Sequence, residues 1–422
     1  MADTSPDLAR RNVPVLAGQS ILSQVAWTLG SPSVVLPFLA VSLELPMFLA
    51  GALVSIRMFG SMVADVFLAH SIAARERKKR AIALTEIAVG ACLVLALALA
   101  ATGVVPIVAL AFATAFLMIG LIEEVQSLLY TDLIGDHVKS KSRMALHYLQ
   151  LGAGGLATIG LALLIHQIMK DAPPFSRHSA VIAVSVTFFV LSGLSILAMA
   201  EAEKKKETSE KDVGKTRFVE NFTNISKMFE QPWFRHYMVM RLPLVVVSLS
   251  VPFFALIAAE AHHSSAKGLT AMIVSSASGY LVSAPLWQVV NMKSHRAVMV
   301  AGTLMVACTG IALLSVHYLG ADHDIHLHAV ALFVVTVAVT GVSSARKLYF
   351  LDVAPKDQRV QGAAAIKSIC RISAVVISSV LAAVAHMHEV SLAIMFICAV
   401  SILAAVLCYR VVIPKEVKGA NL

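Results

Sequence analysis

EAEKKKETSEKDVGKTRFVENFTNISKMFEQPWFR, residues Glu201 to Arg235, is the one long polar stretch in this chain of 422 residues, and it falls almost at the midpoint. On either side the sequence is a succession of apolar runs, each about as long as a bilayer-crossing helix. Six precede it, at residues 16–39, 46–73, 81–101, 105–130, 143–169 and 178–200. Six follow, at 236–259, 268–291, 296–318, 325–350, 361–386 and 390–413. With 58% hydrophobic and 14% charged residues, the chain lacks the polar surface that a water-soluble fold of this size requires. Helices satisfy their own backbone hydrogen bonds in hydrocarbon, so the expected fold is an all-α integral membrane protein. Twelve transmembrane helices should form two pseudo-symmetric six-helix bundles, residues 1–200 and 236–422, joined by a cytoplasmic linker over 201–235.

The linker itself has two parts. Lys204, Lys205, Lys206, Glu207, Glu210 and Lys211 make a solvated mixed-charge run. Phe218, Phe222, Ile225 and Phe229 then recur at helical spacing, which predicts an amphipathic helix along the membrane face. Residues Met1 to Asn12 are polar and lack a signal-peptide cleavage pattern, so the first span is expected to be retained.

Net charge +9 does not point to a nucleic-acid partner, because the basic residues are sorted by side. With the N-terminus inside, 24 of the 34 Lys and Arg fall in cytoplasmic segments, 3 in outside loops and 7 within spans. That asymmetry places both termini in the cytoplasm of a cell whose inner membrane holds the protein. The five cysteines all lie within spans and form no Cys-x-x-Cys pair, so neither a disulfide framework nor a structural zinc site is expected. No Walker loop, Gly-x-Ser-x-Gly or His-Glu-x-x-His is present, and no enzymatic activity or cofactor is expected.

The halves echo each other. Leu129-Tyr130 is followed by Asp132, Asp136 and Arg143, and Leu348-Tyr349 by Asp352, Asp357 and Arg359. Gly60, Asp65 and the basic cluster Arg75–Arg80 follow the second span. Six plus six spans, a charged central loop and these repeated loops resemble the major facilitator superfamily over about residues 12–413. In that family the loop after span two reads Gly-x-x-x-Asp-Arg-x-Gly-Arg-Arg; here the Gly-to-Asp spacing is one residue longer, and the matching stretch Trp287 to Arg296 has no acid. The resemblance implies a solute site near the midplane, lined by spans 1, 4, 7 and 10 and flanked by 2, 5, 8 and 11, with halves that rock to expose it alternately.

Ionisable residues deep in a span are costly and therefore functional candidates. Arg57, Arg371 and Lys367 are assigned to substrate binding, with Gln24 and Trp27 of the first span supplying hydrogen bonds and a stacking face. Glu123 and Glu124 are assigned to proton coupling; neighbours on a helix point about 100° apart, so one of them should face the pathway, and the stripe Glu123, Ser127, Tyr130 favours Glu123. Asp65, Glu86 and Arg77 are assigned to a gate at the inner end, and Arg241 reads as an interface anchor. Together these imply a monomeric secondary active transporter for a small anionic or zwitterionic solute, using protons as coupling ion and working within the lipid bilayer.

Three alternatives stand beside that reading. Ten of the 15 histidines lie at the outer side, densest at His323, His326 and His328, which suits a transition-metal or metal-chelate importer. The glycine-rich start of span five, Gly152 to Gly155, resembles that of drug/proton antiporters without their Gly-Pro pair. A non-transporting membrane sensor or scaffold would use the central loop to hold a cytosolic partner.

Overall fold

Proline and small polar residues mark where the apolar runs become helices. The computed structural model describes residues 6–68, 78–138, 140–200, 225–320, 324–387 and 389–410. Arg75, Arg77, His323, His388 and most of the linker, with Phe218 and Phe222, lie outside the described residues, as do the side chains of Asp136 and Arg143. Proline stands in the first turn of several helices, where its missing N–H costs nothing. Ser294 and Asp324 cap two others by accepting backbone N–H groups at 3.2 and 2.9 Å.

In the first half the helices are α1 (Pro6–Leu29), α2 (Val35–Ser42), α3 (Met47–Phe67), α4 (Lys78–Ala100), α5 (Val105–His137), α6 (Ser140–Met169) and α7 (Pro174–Ile196). In the second they are α8 (Pro232–Arg241), α9 (Pro243–Ser248), α10 (Ser250–His262), α11 (Gly268–Asn291), α12 (His295–Tyr318), α13 (Ile325–Val353), α14 (Arg359–Met387) and α15 (Val390–Arg410). Of the linker's amphipathic helix, the described part is a helical turn over residues 225–230.

Among the described residues eleven segments are long and apolar enough to cross a membrane, with α8, α9 and α10 forming one of them. The twelfth crossing is α1 with α2. Its face of Gln19, Ser20, Ser23, Gln24 and Thr28 lowers its hydropathy, and the helix is interrupted at residues 30–34 rather than running unbroken over 16–39. Pro32 explains the break, because it has no N–H to donate and its ring obstructs the preceding turn. The carbonyl of Ser31 gathers the amides of Val34, Val35 and Leu36, and its hydroxyl accepts from Ser33 and Val34. α1 also begins at Pro6, inside the segment expected to be a polar arm.

The seventh crossing is interrupted twice, at Leu242 before Pro243 and at Leu249. The first crossing of each half is thus the discontinuous one. α5 reaches His137, seven residues beyond the expected span, and α3 stops at Phe67.

In the first half α1 packs on α6 and α7, and α5 on α3 and α4; in the second, α13 packs on α11 and α12, and α12 on α15. The halves meet along two seams, α3 against α14 and α6 against α11. At the basic end the start of α4 meets the ends of α5 and α7, where Lys78 pairs with Asp132 and Lys79 Nζ donates to the Met199 carbonyl at 2.7 Å. At the opposite end α2 meets α10, and Arg177 Nη2 donates to the Ser264 carbonyl at 2.9 Å. Along the α3–α14 seam Ser55 Oγ and Ser378 Oγ are 2.8 Å apart.

The internal echo is structural as well. Asp132 pairs with Lys78 at the start of α4, and Asp352 with His295 at the start of α12, at 3.6 Å in the second case. Twenty-five residues after Lys78 and after His295 stand Gly103 and Gly320, with φ +67° and +71°. Both turns need the left-handed backbone that glycine adopts without a Cβ penalty.

Candidate functional site

A cavity of about 520 Å³ lies between the halves. α1 supplies its most polar wall through Gln19, Ser20, Ser23, Gln24 and Thr28, and the break after α1 adds Ser31 and Ser33. Gln24 donates to Thr28 Oγ1 at 3.1 Å and accepts from Gln150 Nε2 of α6 at 3.2 Å. Trp27 also faces the cavity and is fixed edge-on against Phe189 at 5.1 Å. The second half contributes Ser248, Val251, Pro252, Ser276, Tyr280 and Val339. Spans 1, 2, 4, 5, 7, 8 and 10 therefore all reach the cavity, and most of its polar groups come from the first half.

Arg57 and Glu123 are the charged residues on this wall. Arg57 Nε donates to Glu123 Oε2 and Nη2 to Oε1, each at 2.8 Å, and Nη1 donates to Ser33 Oγ at 3.3 Å. This fork-on-carboxylate geometry is the strongest form of the pair. Glycine makes it possible. A Cβ on Gly120 would collide with the Arg57 carbonyl, and one on Gly60 with the Leu117 carbonyl, so α3 and α5 touch backbone to backbone. Ser61 Oγ closes the contact by donating to the Gly120 carbonyl at 2.8 Å.

Glu124, one residue on, turns away from the cavity. It joins Asp65 of α3 with Lys367 and Arg371 of α14 in a four-membered network across the halves. Lys367 Nζ reaches Asp65 Oδ1 at 2.6 Å and Glu124 Oε1 at 2.5 Å. Arg371 reaches Asp65 Oδ2 at 2.7 Å, and it also holds Glu124 Oε2 and the Ser61 carbonyl. Lys367 and Arg371 thus stand in this network and are not among the residues lining the cavity.

Glu86 sits behind α1, completely buried. Its Oε1 accepts from Ser23 at 2.9 Å, Ser192 at 3.0 Å, Gln126 at 2.8 Å and Gln19 at 3.2 Å. No cation pairs with it among the described residues, and its Oε2 has no partner, nor do Gln19 Oε1 and Gln126 Oε1. Eight residues into the matching helix of the second half stands Thr303, so the carboxyl belongs to one half only. Gln126, Gln150, Tyr130 and Tyr280 were not singled out from sequence as site residues. They are neutral, and a lone Gln or Tyr in an apolar run carries none of the energetic signal that marks a buried charge.

Two of the outer histidines meet. His326 is exposed, while His328 is buried against His262, with Nδ1 and Nε2 3.1 Å apart. Among the described residues no group of three or more His, Cys, Asp or Glu could hold a metal ion.

Comparison with known proteins shows what this geometry is similar to. The model of the Major Facilitator Superfamily matches residues 244–421. Uncharacterized proteins of Mycobacterium tuberculosis (Rv2209) and Mycobacterium bovis (Mb2232) are each 24% identical over 395 residues, which is 90% of this chain and 73% of theirs. The fold is similar to that of a POT family transporter solved with a thioalcohol-conjugated peptide, with TM-score 0.66, 12% identity and coverage of 93% of this chain and 94% of that one. It is similar to the nucleoside transporter NupG, with TM-score 0.66, 10% identity and coverage of 94% and 98%. It is also similar to the human organic anion transporter MFSD10, with TM-score 0.60, 13% identity and coverage of 95% and 99%. The second half matches the sequence pattern of the Major Facilitator Superfamily and the chain throughout has a fold similar to that of these solved transporters, which makes it a multi-pass membrane protein of that architecture.

Proposed function

We propose that the chain is a proton-coupled secondary transporter of a small anionic or zwitterionic solute, working by alternating access in the inner membrane with both termini cytoplasmic. The observation that carries this reading is the polar cavity between the halves, with a forked Arg57–Glu123 pair on its wall. Hydroxyl and amide groups around that pair suit a solute rich in hydrogen-bonding groups, and a volume of about 520 Å³ suits one of small-molecule size.

Arg57, Gln24 and Trp27 are the solute-binding residues in this scheme. A proton on Glu123 releases the guanidinium of Arg57, which then takes the solute carboxylate in its place. Charge is balanced at each stage, and proton and solute enter together. Asp65, Glu124, Lys367 and Arg371 form the gate. Two acids facing two cations across the halves can be made or broken as a unit when one half rocks against the other. Lys367 and Arg371, expected from sequence to hold solute, are given this gate role because both are already occupied by carboxylates.

The test is uptake by purified protein in liposomes under an imposed pH gradient. The panel spans a dipeptide, 5-aminolevulinic acid, a dicarboxylate, a nucleoside and a lipophilic cation. Uptake of an acidic or zwitterionic member that collapses with a protonophore and is lost in Arg57→Gln supports the reading. Uptake of the lipophilic cation alone moves the chain to drug export, and absence of flux for every class removes the transport mechanism.

A further inference from the structure

We propose that Arg241 and Arg346 form an oxyanion-binding site in the second half, opening on the central cavity, that takes the carboxylate or phosphate group of its ligand. Arg241 ends α8 and Arg346 lies in α13, seven residues before its end. Both lie within electrostatic reach of the same two side chains, Tyr237 and Cys370, and of each other. Lys347 adds a third cation beside Arg346. Among the described residues no carboxylate pairs with either arginine. Arg346 Nη1 donates to a neutral hydroxyl, Ser248 Oγ, at 3.2 Å. The Tyr237 hydroxyl approaches at 3.1 Å, but it donates to the backbone carbonyl of Arg346 and does nothing for the charge. Arg241 Nη1 is buried with no hydrogen-bond partner.

Two half-buried guanidiniums within electrostatic reach of each other repel, and the buried Arg241 Nη1 leaves a donor unsatisfied, which a protein does not do without compensation. An oxyanion between them supplies both the opposite charge and the acceptors, and the planar fork of arginine matches carboxylate or phosphate oxygens. Elsewhere in this chain buried cations are neutralised from within: Arg57 by Glu123, and Lys367 and Arg371 by Asp65 and Glu124. Among the described residues neither Arg241 nor Arg346 has such a partner.

The internal repeat says where the site opens. Tyr130 of the fourth crossing meets Ser20 of the first at 2.5 Å, and Tyr349 of the tenth stacks on Tyr237 of the seventh, with ring centroids 6.4 Å apart. In that register Arg346, three residues before Tyr349, matches Ser127, three before Tyr130. Arg241, four after Tyr237, matches Gln24, four after Ser20. Ser127 and Gln24 both line the cavity, and so does Ser248, the hydroxyl that Arg346 holds. The two arginines do not themselves line the cavity; they stand behind Ser248, at second-half positions that correspond to cavity-lining ones in the first half.

The proposal deepens the transport reading and rests on it only for the idea that the bound anion is cargo; the source of the oxyanion is either a soluble solute or an anionic lipid headgroup. The experiment titrates detergent-purified protein at constant ionic strength with inorganic phosphate, with succinate and, separately, with phosphatidylglycerol in mixed micelles. Thermal unfolding is followed for the unaltered chain and for Arg241→Gln, Arg346→Gln, Arg346→Lys and Lys293→Gln.

The expected result is a rise in Tm with at least one of the three probes. The apparent Kd should weaken at least tenfold in each arginine variant and stay unchanged in Lys293→Gln. Arg346→Lys keeps the charge but not the fork, so it tests the site even where the glutamine variant folds poorly. Without added anion, Arg241→Gln should unfold at a higher temperature than the unaltered chain, because it removes an unneutralised charge; a purely structural arginine would lower it. A response to phosphatidylglycerol alone assigns the site to a lipid headgroup. No response to any probe, or equal responses in the arginine variants, overturns the proposal. Retained anion binding with no liposome flux would overturn the transport reading and leave this site standing, whereas flux unaffected by both arginine variants would separate the site from cargo.

Discussion

Arg57 and Glu123 clasp each other through two parallel N–H···O bonds of 2.8 Å, and Glu123, the more exposed partner at 35%, faces the cavity. Removing one partner strands the other, whereas removing both leaves two neutral groups. Arg57→Gln and Glu123→Gln should each cost about 1–3 kcal/mol of stability, and the double variant less than the sum of the two. Solute flux should fall at least tenfold in all three. Thermal unfolding in detergent measures the first effect, and liposome uptake the second. Normal flux in Glu123→Gln would end its role in coupling.

The network of Asp65, Glu124, Lys367 and Arg371 holds two charges of each sign across the seam between halves. Arg371→Gln alone leaves Lys367 bridging both acids. Arg371→Gln combined with Lys367→Gln strands both carboxylates, and should lower stability by about 3–5 kcal/mol. Adding Asp65→Asn and Glu124→Gln to that pair should restore most of the loss without restoring flux. Chemical unfolding of the single, double and quadruple variants decides it; strict additivity would show that the four residues do not act together.

Ser55 and Ser378 touch across the α3–α14 seam at 2.8 Å between hydroxyl oxygens. Alternating access requires this seam to change. Ser55→Cys with Ser378→Cys, in a chain whose five native cysteines are replaced, should crosslink readily under oxidation and reduce flux at least tenfold. Reduction should recover it. Full activity in the crosslinked protein would show that this part of the seam stays fixed during transport.

Glu86 gathers four donors on one buried oxygen, while Glu86 Oε2, Gln19 Oε1 and Gln126 Oε1 lack donors. Glu86→Gln keeps the accepting oxygen and brings an amide donor to a cluster short of donors. It should fold with stability within about 1 kcal/mol of the unaltered chain. Glu86→Leu strands the donors and should cost about 3 kcal/mol or more, at about 1–3 kcal/mol for each buried group left unpaired. Unfolding midpoints of the two variants give the comparison, and equal midpoints would show that the cluster contributes nothing to stability.

The number of crossings and the division into two halves were legible in the sequence because hydrocarbon imposes them. A backbone in a bilayer must satisfy its own hydrogen bonds, so apolar length translates directly into helices. Arg57 and Glu123 were legible too, since a charge deep in an apolar run stands out. The break at Gly30 to Val34 was marked by Pro32, yet it was hidden inside a run whose average composition still reads as one span.

The choice of partners was not legible. Glu123 and Glu124 are adjacent in sequence, but a helix turns them about 100° apart, so one reaches Arg57 within its own half and the other reaches Lys367 and Arg371 across the seam. Lys367 and Arg371 read as cavity cations until α14 was seen to pack on α3 and bring them to Asp65 and Glu124. Arg241 read as an interface anchor, and only the packing of α8 with α13 brings it within electrostatic reach of Arg346. Sequence alone thus determined which segments lie in the membrane, because that depends on composition summed along the chain. Tertiary structure alone decided which charges neutralise each other and which face the cavity, because that depends on helix rotation and crossing geometry, which bring together residues hundreds of positions apart.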